Sequence, residues 1–148
     1  MAFDLVSKVC PSLDAITEQS DAMHGFARAE WVRGREGKVF VRVNRRVLTP
    51  SPLELAPVFE LANIEVKAHH RGKGVFNAVL AAMEQHAAAQ GRAMFIESVL
   101  DPHLLRVLPQ KGYAMVGEPA SSNFYKSHAD LVAQYPPPRA RVRGPKAR

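Results

Sequence analysis

The residues with the most chemistry to offer fall in one stretch, 59–76, which reads FELANIEVKAHHRGKGVF. An apolar, strand-like run carries Glu60 and Glu65, passes His69 and His70, and breaks at Arg71-Gly72-Lys73-Gly74 before an amphipathic segment begins. A strand that ends in closely spaced glycines and restarts as a helix leaves several backbone N–H groups unpaired at the positive end of the helix dipole. That is an anion site, suited to phosphate. Arg71 and Lys73 add formal positive charge to it. Two adjacent histidines on a strand point to opposite sides, so His69 and His70 do not predict a metal site, and no metal is expected. The nucleotide-binding pattern Gly-x-x-x-x-Gly-Lys-Ser/Thr is absent.

Elements must exist on both sides of this turn to hold it. Before it, Pro11-Ser12-Leu13-Asp14 reads as a helix start capped by Ser12, and Met23, Phe26, Ala27 and Trp31 at helical spacing predict a second helical segment over 22–31. Residues 38–48 alternate with period two, with Val39, Val41 and Val43 on one side and Phe40, Arg42 and Asn44 on the other, so a strand is expected there. Thr49-Pro50-Ser51-Pro52 and Pro57 predict a rigid loop before a central strand over 58–67. After the turn, Phe76, Val79, Leu80, Met83 and Ala87 form the apolar stripe of a helix over 75–90, with Glu84 facing outward, His86 at its boundary and Gly91 ending it. The apolar run 92–100 is a strand covered on both faces. Strand, crossover helix and strand then make a right-handed parallel unit. Asp101-Pro102 caps a short helix burying Leu104, Leu105 and Leu108, and a hairpin, 113–116 with 123–126, precedes a last helical turn over 127–135.

Composition bounds the setting. The chain has 148 residues, 47% hydrophobic and 23% charged, as in a single soluble domain. Five of its six net positive charges lie in 139–148, which contains no acid, so the body is close to neutral. Residues 1–135 are therefore expected to form one domain. Residues 136–148, opening with three prolines, read as a stiff spacer and a basic tail, either simply solvated or weakly attracted to nucleic acid. Arg28, Arg33, Arg35, Arg42, Arg45 and Arg46, partly neutralised by Glu30, Glu36 and Glu54, suggest tolerance for an acidic or phosphorylated acceptor, nucleic acid carrying an amine among them. The lone Cys10 excludes an internal disulfide and fits a half-buried small hydrophobe in a reducing cytosol. With no long apolar run and no leader, neither a membrane span nor a membrane partner is expected, and the location expected is the cytoplasm.

The order of elements together with Arg71-Gly72-Lys73-Gly74-Val75-Phe76 resembles the GCN5-related N-acetyltransferase (GNAT) superfamily, whose acyl-CoA signature is Gln/Arg-x-x-Gly-x-Gly/Ala. Two of the three fixed positions match, and Phe76 stands where a small residue is usual. The resemblance covers 58–126. It implies a mixed α/β fold with a mostly antiparallel sheet, a splayed central parallel strand pair and flanking helices. The activity it implies is N-acyl transfer, acetyl-CoA being the co-substrate and an amine on a small molecule or macromolecule the acceptor. The alternative is a catalytically weak GNAT-like binding module whose tail contacts nucleic acid. Assembly as a homodimer is compatible with either. By the family pattern, Ile64, Glu65 and Val66 would pair with the pantetheine arm, the Val66 N–H would polarise the thioester carbonyl, and Arg71, Gly72, Lys73, Gly74, Val75 and Phe76 would cradle the pyrophosphate. Glu60, eleven residues before Arg71, falls where the family often keeps its general base, while Glu97 and Ser98 on the neighbouring strand are second candidates. The competing role for Glu60 is an ion pair with Arg42 or Arg45. The helix that usually ends in Leu-Tyr-x-Lys-x-Gly-Phe puts Leu108 at the tyrosine of the usual general acid, which leaves Tyr113, Tyr125, Ser98 or water to protonate the thiolate.

Overall fold

The computed structural model describes residues 3–50, 53–99, 101–116 and 122–138. The chain runs α1 (Asp4–Ala22), β1 (Arg28–Gly34), β2 (Gly37–Pro50), β3 (Leu53–Val66), a single 3₁₀ turn (Ala68–His70), α2 (Val75–Gln90), β4 (Ala93–Ile96), α3 (Pro102–Gln110), β5 (Ala114–Val116), β6 (Asn123–Lys126) and α4 (His128–Gln134). The sheet order is β1-β2-β3-β4-β6-β5, and β3–β4 is its parallel pair. This is the mixed, mostly antiparallel sheet that the sequence implied.

Alternation along the strands sorts the two faces. Val39, Val41 and Val43 of β2, Phe59 and Leu61 of β3, Met94 and Ile96 of β4 and Phe124 of β6 turn one way. They form a single core with Leu5, Val9, Leu13 and Ile16 of α1, Val79, Leu80 and Met83 of α2, Leu108 of α3 and Leu131 of α4. A smaller cluster, Leu48, Val58, Ala93 and Phe95, lies on the opposite face.

Several expectations are corrected. The first helix is one helix that starts eight residues before Ser12 and carries Pro11 inside it. Its N-terminus is capped from a distance: Glu36, in the β1–β2 hairpin, accepts the Leu5 N–H at 2.8 Å and the Asp4 N–H at 3.2 Å. The expected second helix over 22–31 is a turn, with His24 and Gly25 at positive φ, followed by β1; Met23 and Phe26 are exposed. The prolines do not break the β2–β3 connection into a loop at Thr49 and Pro50, which end β2, while Ser51 and Pro52 lie outside the described residues. Pro57 sits inside β3, opposite Arg45 and just before β4 pairing begins at Val58, a place where a missing N–H leaves no rung broken toward β4. Glu84 is buried rather than outward, bonded by Tyr113 at 2.8 Å and Tyr135 at 3.0 Å. The strand expected over 92–100 is shorter. The tail 139–148 lies outside the described residues.

Candidate active site

A wedge opens in the middle of the sheet, and two local features cause it. On β3 the register against β2 shifts between Phe40 and Val41, leaving Ala62 as the extra residue of a bulge. On β4 the last parallel rung is the Glu97 N–H to the Leu61 carbonyl at 3.1 Å. The next residue, Ser98, takes φ +50° and turns the chain toward β6, where its N–H meets Asn123 Oδ1 at 2.8 Å and the Val99 N–H meets the Ser122 carbonyl at 2.9 Å. The strands part at Leu61–Ile96, and among the described residues no strand pairs with the β4-facing edge of 62–66. A serine in the left-handed region stores about 1–3 kcal/mol of strain, which here is spent on opening the wedge.

The wedge forms one end of a cleft of about 820 Å³ lined from β3 by Leu61, Ala62, Asn63, Ile64 and Val66, and from β4 by Ile96 to Val99. Its other end is the start of α2. Gly74, the N-cap, has no side chain to accept from the first turn, and among the described residues no other side chain caps it, so the Val75, Phe76 and Asn77 N–H groups, which have no intrahelical acceptor, are left open. Gly72 and Gly74 sit at φ +73° and +84° with open space around each Cα. They are glycines for conformation, and the absence of Cβ atoms keeps the approach to the amides clear. Arg71 Nε donates to the Val66 carbonyl at 3.0 Å, tying the turn to the end of β3. Phe76 lines the cleft and leans on the main core, so the large side chain fills one wall of the cleft while the amides remain accessible.

The candidate carboxylates differ in surroundings. Glu60 has no exposed surface and lies under the cleft, not on its lining. Its Oε1 accepts from Asn44 Nδ2 and Arg46 Nε, and its Oε2 from Arg42 Nη1 at 2.6 Å and Arg46 Nη2 at 3.3 Å. A carboxylate offers about four lone-pair sites, and all are taken. The ion pair expected with Arg42 or Arg45 therefore forms with Arg42 and Arg46. Glu97 is different: it lines the cleft, its side chain is 32% exposed, and Arg42 Nη1 bridges to its Oε2 at 3.0 Å. Burial works against the Arg42 charge, yet hydrogen bonds and proximity to Glu60 and Glu97 outweigh it and raise its pKa above the ordinary guanidinium value. Ser98 lies beside Glu97 on the same wall.

The remaining expectations divide. Glu65 and Lys73 do not line this cleft; Glu65 is exposed and pairs with Lys38 at 3.4 Å. Leu108 is wholly buried in the core, and α3 turns His103, Leu104 and Val107 toward the cleft instead. Tyr113 is buried against Glu84, and burial, then that carboxylate, pushes its pKa far above the ordinary phenol value, which removes it as a proton donor. Tyr125 packs on the small cluster of the opposite face. Sequence reasoning missed His103 and Lys111 on the cleft wall; the register of α3, set by Leu108 pointing inward, is the signal that places them. Among the described residues, no group of three or more His, Cys, Asp or Glu gathers as metal ligands, and no helix is long and apolar enough to cross a membrane.

No family model matches the chain, and no curated protein matches it. Solved structures do. A mutant of the toxin AtaT bound to the C-terminus of the antitoxin AtaR and acetyl-CoA aligns over 92% of each chain, at 12% identity and a TM-score of 0.54. AtaT complexed with acetyl-methionyl-tRNAfMet aligns over 84% of this chain and 86% of its own, at 13% identity and a TM-score of 0.53. The KacTA–DNA complex aligns over 84% of both, at 12% identity and a TM-score of 0.52. These likenesses establish the fold, which is that of the GNAT acetyltransferases.

Proposed function

We propose that the protein is an acyl-CoA-dependent N-acyltransferase using acetyl-CoA. The observation that carries this reading is the continuous path from the uncapped α2 amides, along the unpaired edge 62–66, to a carboxylate at the apex of the wedge. A cleft of about 820 Å³ is the size of a cofactor site, and open amides with an adjacent arginine suit a pyrophosphate. Bound there, acetyl-CoA would supply the activated acyl group.

The chain's own residues would divide the work. The Gly72 to Asn77 backbone and Arg71 hold the phosphates, and the edge Ile64 to Val66 offers hydrogen bonds to an extended amide arm. The Val66 carbonyl is already engaged by Arg71 and lies at the wide mouth, so the amides of the Ala62 bulge are better situated than the Val66 N–H to stabilise charge on the acyl oxygen. Glu97, half-exposed at the apex and oriented by Arg42, is the general base that takes the ammonium proton. Glu60 holds Arg42 and Arg46 in place beneath it. Ser98 or water returns a proton to the thiolate, whose parent thiol is acidic enough that the thiolate leaves without a stronger acid.

Since AtaT was captured with acetyl-methionyl-tRNAfMet, an amine carried on RNA is the acceptor class to test first. Calorimetry is expected to detect acetyl-CoA binding that weakens at least tenfold in Gly74→Asp, where a carboxylate enters the phosphate cradle. Absence of any coenzyme A binding would sink the reading. A second reading, a binding module without turnover, draws on Phe76 and on the lack of a tyrosine among the described residues lining the cleft. Thioester consumption with any member of an amine and aminoacyl-RNA panel rejects it.

A further inference from the structure

One face of the sheet carries no helix among the described residues, and at its β1–β2 edge the residues on it form a ladder. The register pairs Arg33 with Lys38, Trp31 with Phe40 and Ala29 with Arg42, each pair directly opposite and on the side away from α1, because Val32 and Val39 between them are buried in the core. Successive rows are about 7 Å apart. Trp31 and Phe40 have ring centroids 5.0 Å apart and are only partly covered; Lys38 Nζ lies 4.5 Å from the Trp31 centroid and the Arg42 guanidinium 5.7 Å from Phe40. At the end of the ladder a second cavity, of about 630 Å³, is lined by Arg33, Lys38, Lys67 and Arg71, with Glu65 as its one acid. Glu65 is paired with Lys38, while Arg33 and Lys67 are exposed and make no ion pair among the described residues. Arg71 and Val66 line both this cavity and the acyl cleft, so the two are neighbours.

Cations in excess of acids, placed next to aromatic faces at strand spacing, match a chain of phosphates alternating with flat π-systems. Duplex bases are stacked on each other and present no face to a protein ring, whereas unpaired bases do. We propose that the β1–β2 face binds a single-stranded stretch of RNA, with phosphate in the Arg33–Lys38–Lys67 cavity and a base on Trp31 and Phe40, leading the strand to the acyl cleft. The choice of RNA rests on the acceptor reading above; the surface itself does not. The other end of the ladder, Arg42, donates to Glu97 at the apex of the wedge, which makes this the acceptor side of the reaction.

The test uses the full chain and a short unstructured RNA oligonucleotide. Trp31 is the sole tryptophan, so its fluorescence reports stacking directly. Saturable quenching is expected, with log K falling against log salt at a slope of about −0.7 per phosphate held. Followed by calorimetry with the oligonucleotide, because both changes remove the fluorophore, Trp31→Ala should weaken binding roughly tenfold or more, and Trp31→Phe much less. Arg33→Gln and Lys67→Gln should each reduce the slope by about 0.7. A full-length variant with Arg139, Arg141, Arg143, Lys146 and Arg148 changed to glutamine should keep the quenching, which excludes a tail effect. Acetyl-CoA calorimetry on each variant checks folding and is expected to be unchanged. Oligonucleotide binding without quenching, loss of binding confined to the tail variant, or self-association that buries Trp31 in place of RNA overturns the proposal. If acetyl-CoA binding is intact while RNA binding is absent, this inference alone fails; the reverse result leaves the surface standing and removes the acyltransferase reading.

Discussion

The two carboxylates on the β3 and β4 strands illustrate how surroundings assign roles. Glu60 spends every lone pair on Asn44, Arg42 and Arg46, whereas Glu97 meets Arg42 and faces the cleft. A base must have an acceptor site open to the proton it receives. Glu97→Gln is therefore expected to lower kcat roughly a hundredfold or more with the melting temperature unchanged. Glu60→Gln is expected to destabilise the fold by about 2–3 kcal/mol, the scale of hydrogen bonds between charged groups, and to lower kcat less than Glu97→Gln does. Turnover and thermal unfolding on both variants decide it, and a kcat loss larger for Glu60→Gln would restore the base to the position the family pattern assigns. Ser98 can be dissected in the same way. Ser98→Gly keeps the positive φ at no strain and deletes the hydroxyl, so unchanged or higher stability is expected, with any fall in kcat reporting the hydroxyl alone.

At the scale of elements, what could be read from local sequence is what local sequence causes. The helix over 75–90 carries its own stripe and its own C-terminal glycine, and its limits agree with the structure. The strand at 38–48 carries its own alternation, and Val39, Val41 and Val43 are buried as expected. α1 was illegible at its start because the cap is Glu36, thirty-one residues from Leu5, while Ser12 and Pro11 imitate a boundary in mid-helix. Residues 22–31 misled because Met23, Phe26 and Trp31 fit a helical spacing that tertiary pairing overrides. For the site, the signature turn was legible as backbone chemistry, but which of Glu60 and Glu97 faces the cleft depends on the bulge at Ala62 and the turn at Ser98, and neither has a residue signature of its own. The distant cap makes a prediction. The Leu5 N–H holds the Glu36 carboxyl below the usual range, and the Arg35 N–H does the same for Asp4. A pKa depressed in the folded state gives stability that is present above the unfolded value and lost as pH falls through the folded one. Stability should therefore decline below about pH 4, and Glu36→Gln should start lower at neutral pH and decline less steeply. Denaturant midpoints measured across that range check it, and parallel acid slopes for the two proteins would refute the cap.

Across the whole molecule, the cleft is one end of a lever whose other end is a buried polar cluster. Glu84 lies about 13 Å along α2 from the phosphate cradle. It accepts from Tyr113 and Tyr135, and Lys126 Nζ, 3.9 Å away, donates to Gln134 and to the Lys111 carbonyl. These contacts join α2, β6, α4 and the end of α3, and Lys111 also lines the cleft, so the wall that α3 supplies is anchored by groups outside the site. Burial and then Glu84 push the Tyr135 hydroxyl up to about 12 and Tyr113 further in the same direction. A pKa raised in the folded state contributes stability that is complete below the unfolded value, about 10 for tyrosine, and is lost as pH rises through the folded one. The fold is thus expected to weaken steadily from about pH 10 upward. Tyr113→Phe removes the larger of the two contributions, so its stability should fall less steeply over the same range, although it begins lower for want of the bond to Glu84. Measuring unfolding of both proteins at neutral and alkaline pH isolates the tyrosine from lysine titration, which is common to the two. Equal alkaline losses would mean that Tyr113 is ionised as easily in the folded chain as in the unfolded one, and the cluster would then be no anchor for the α3 wall.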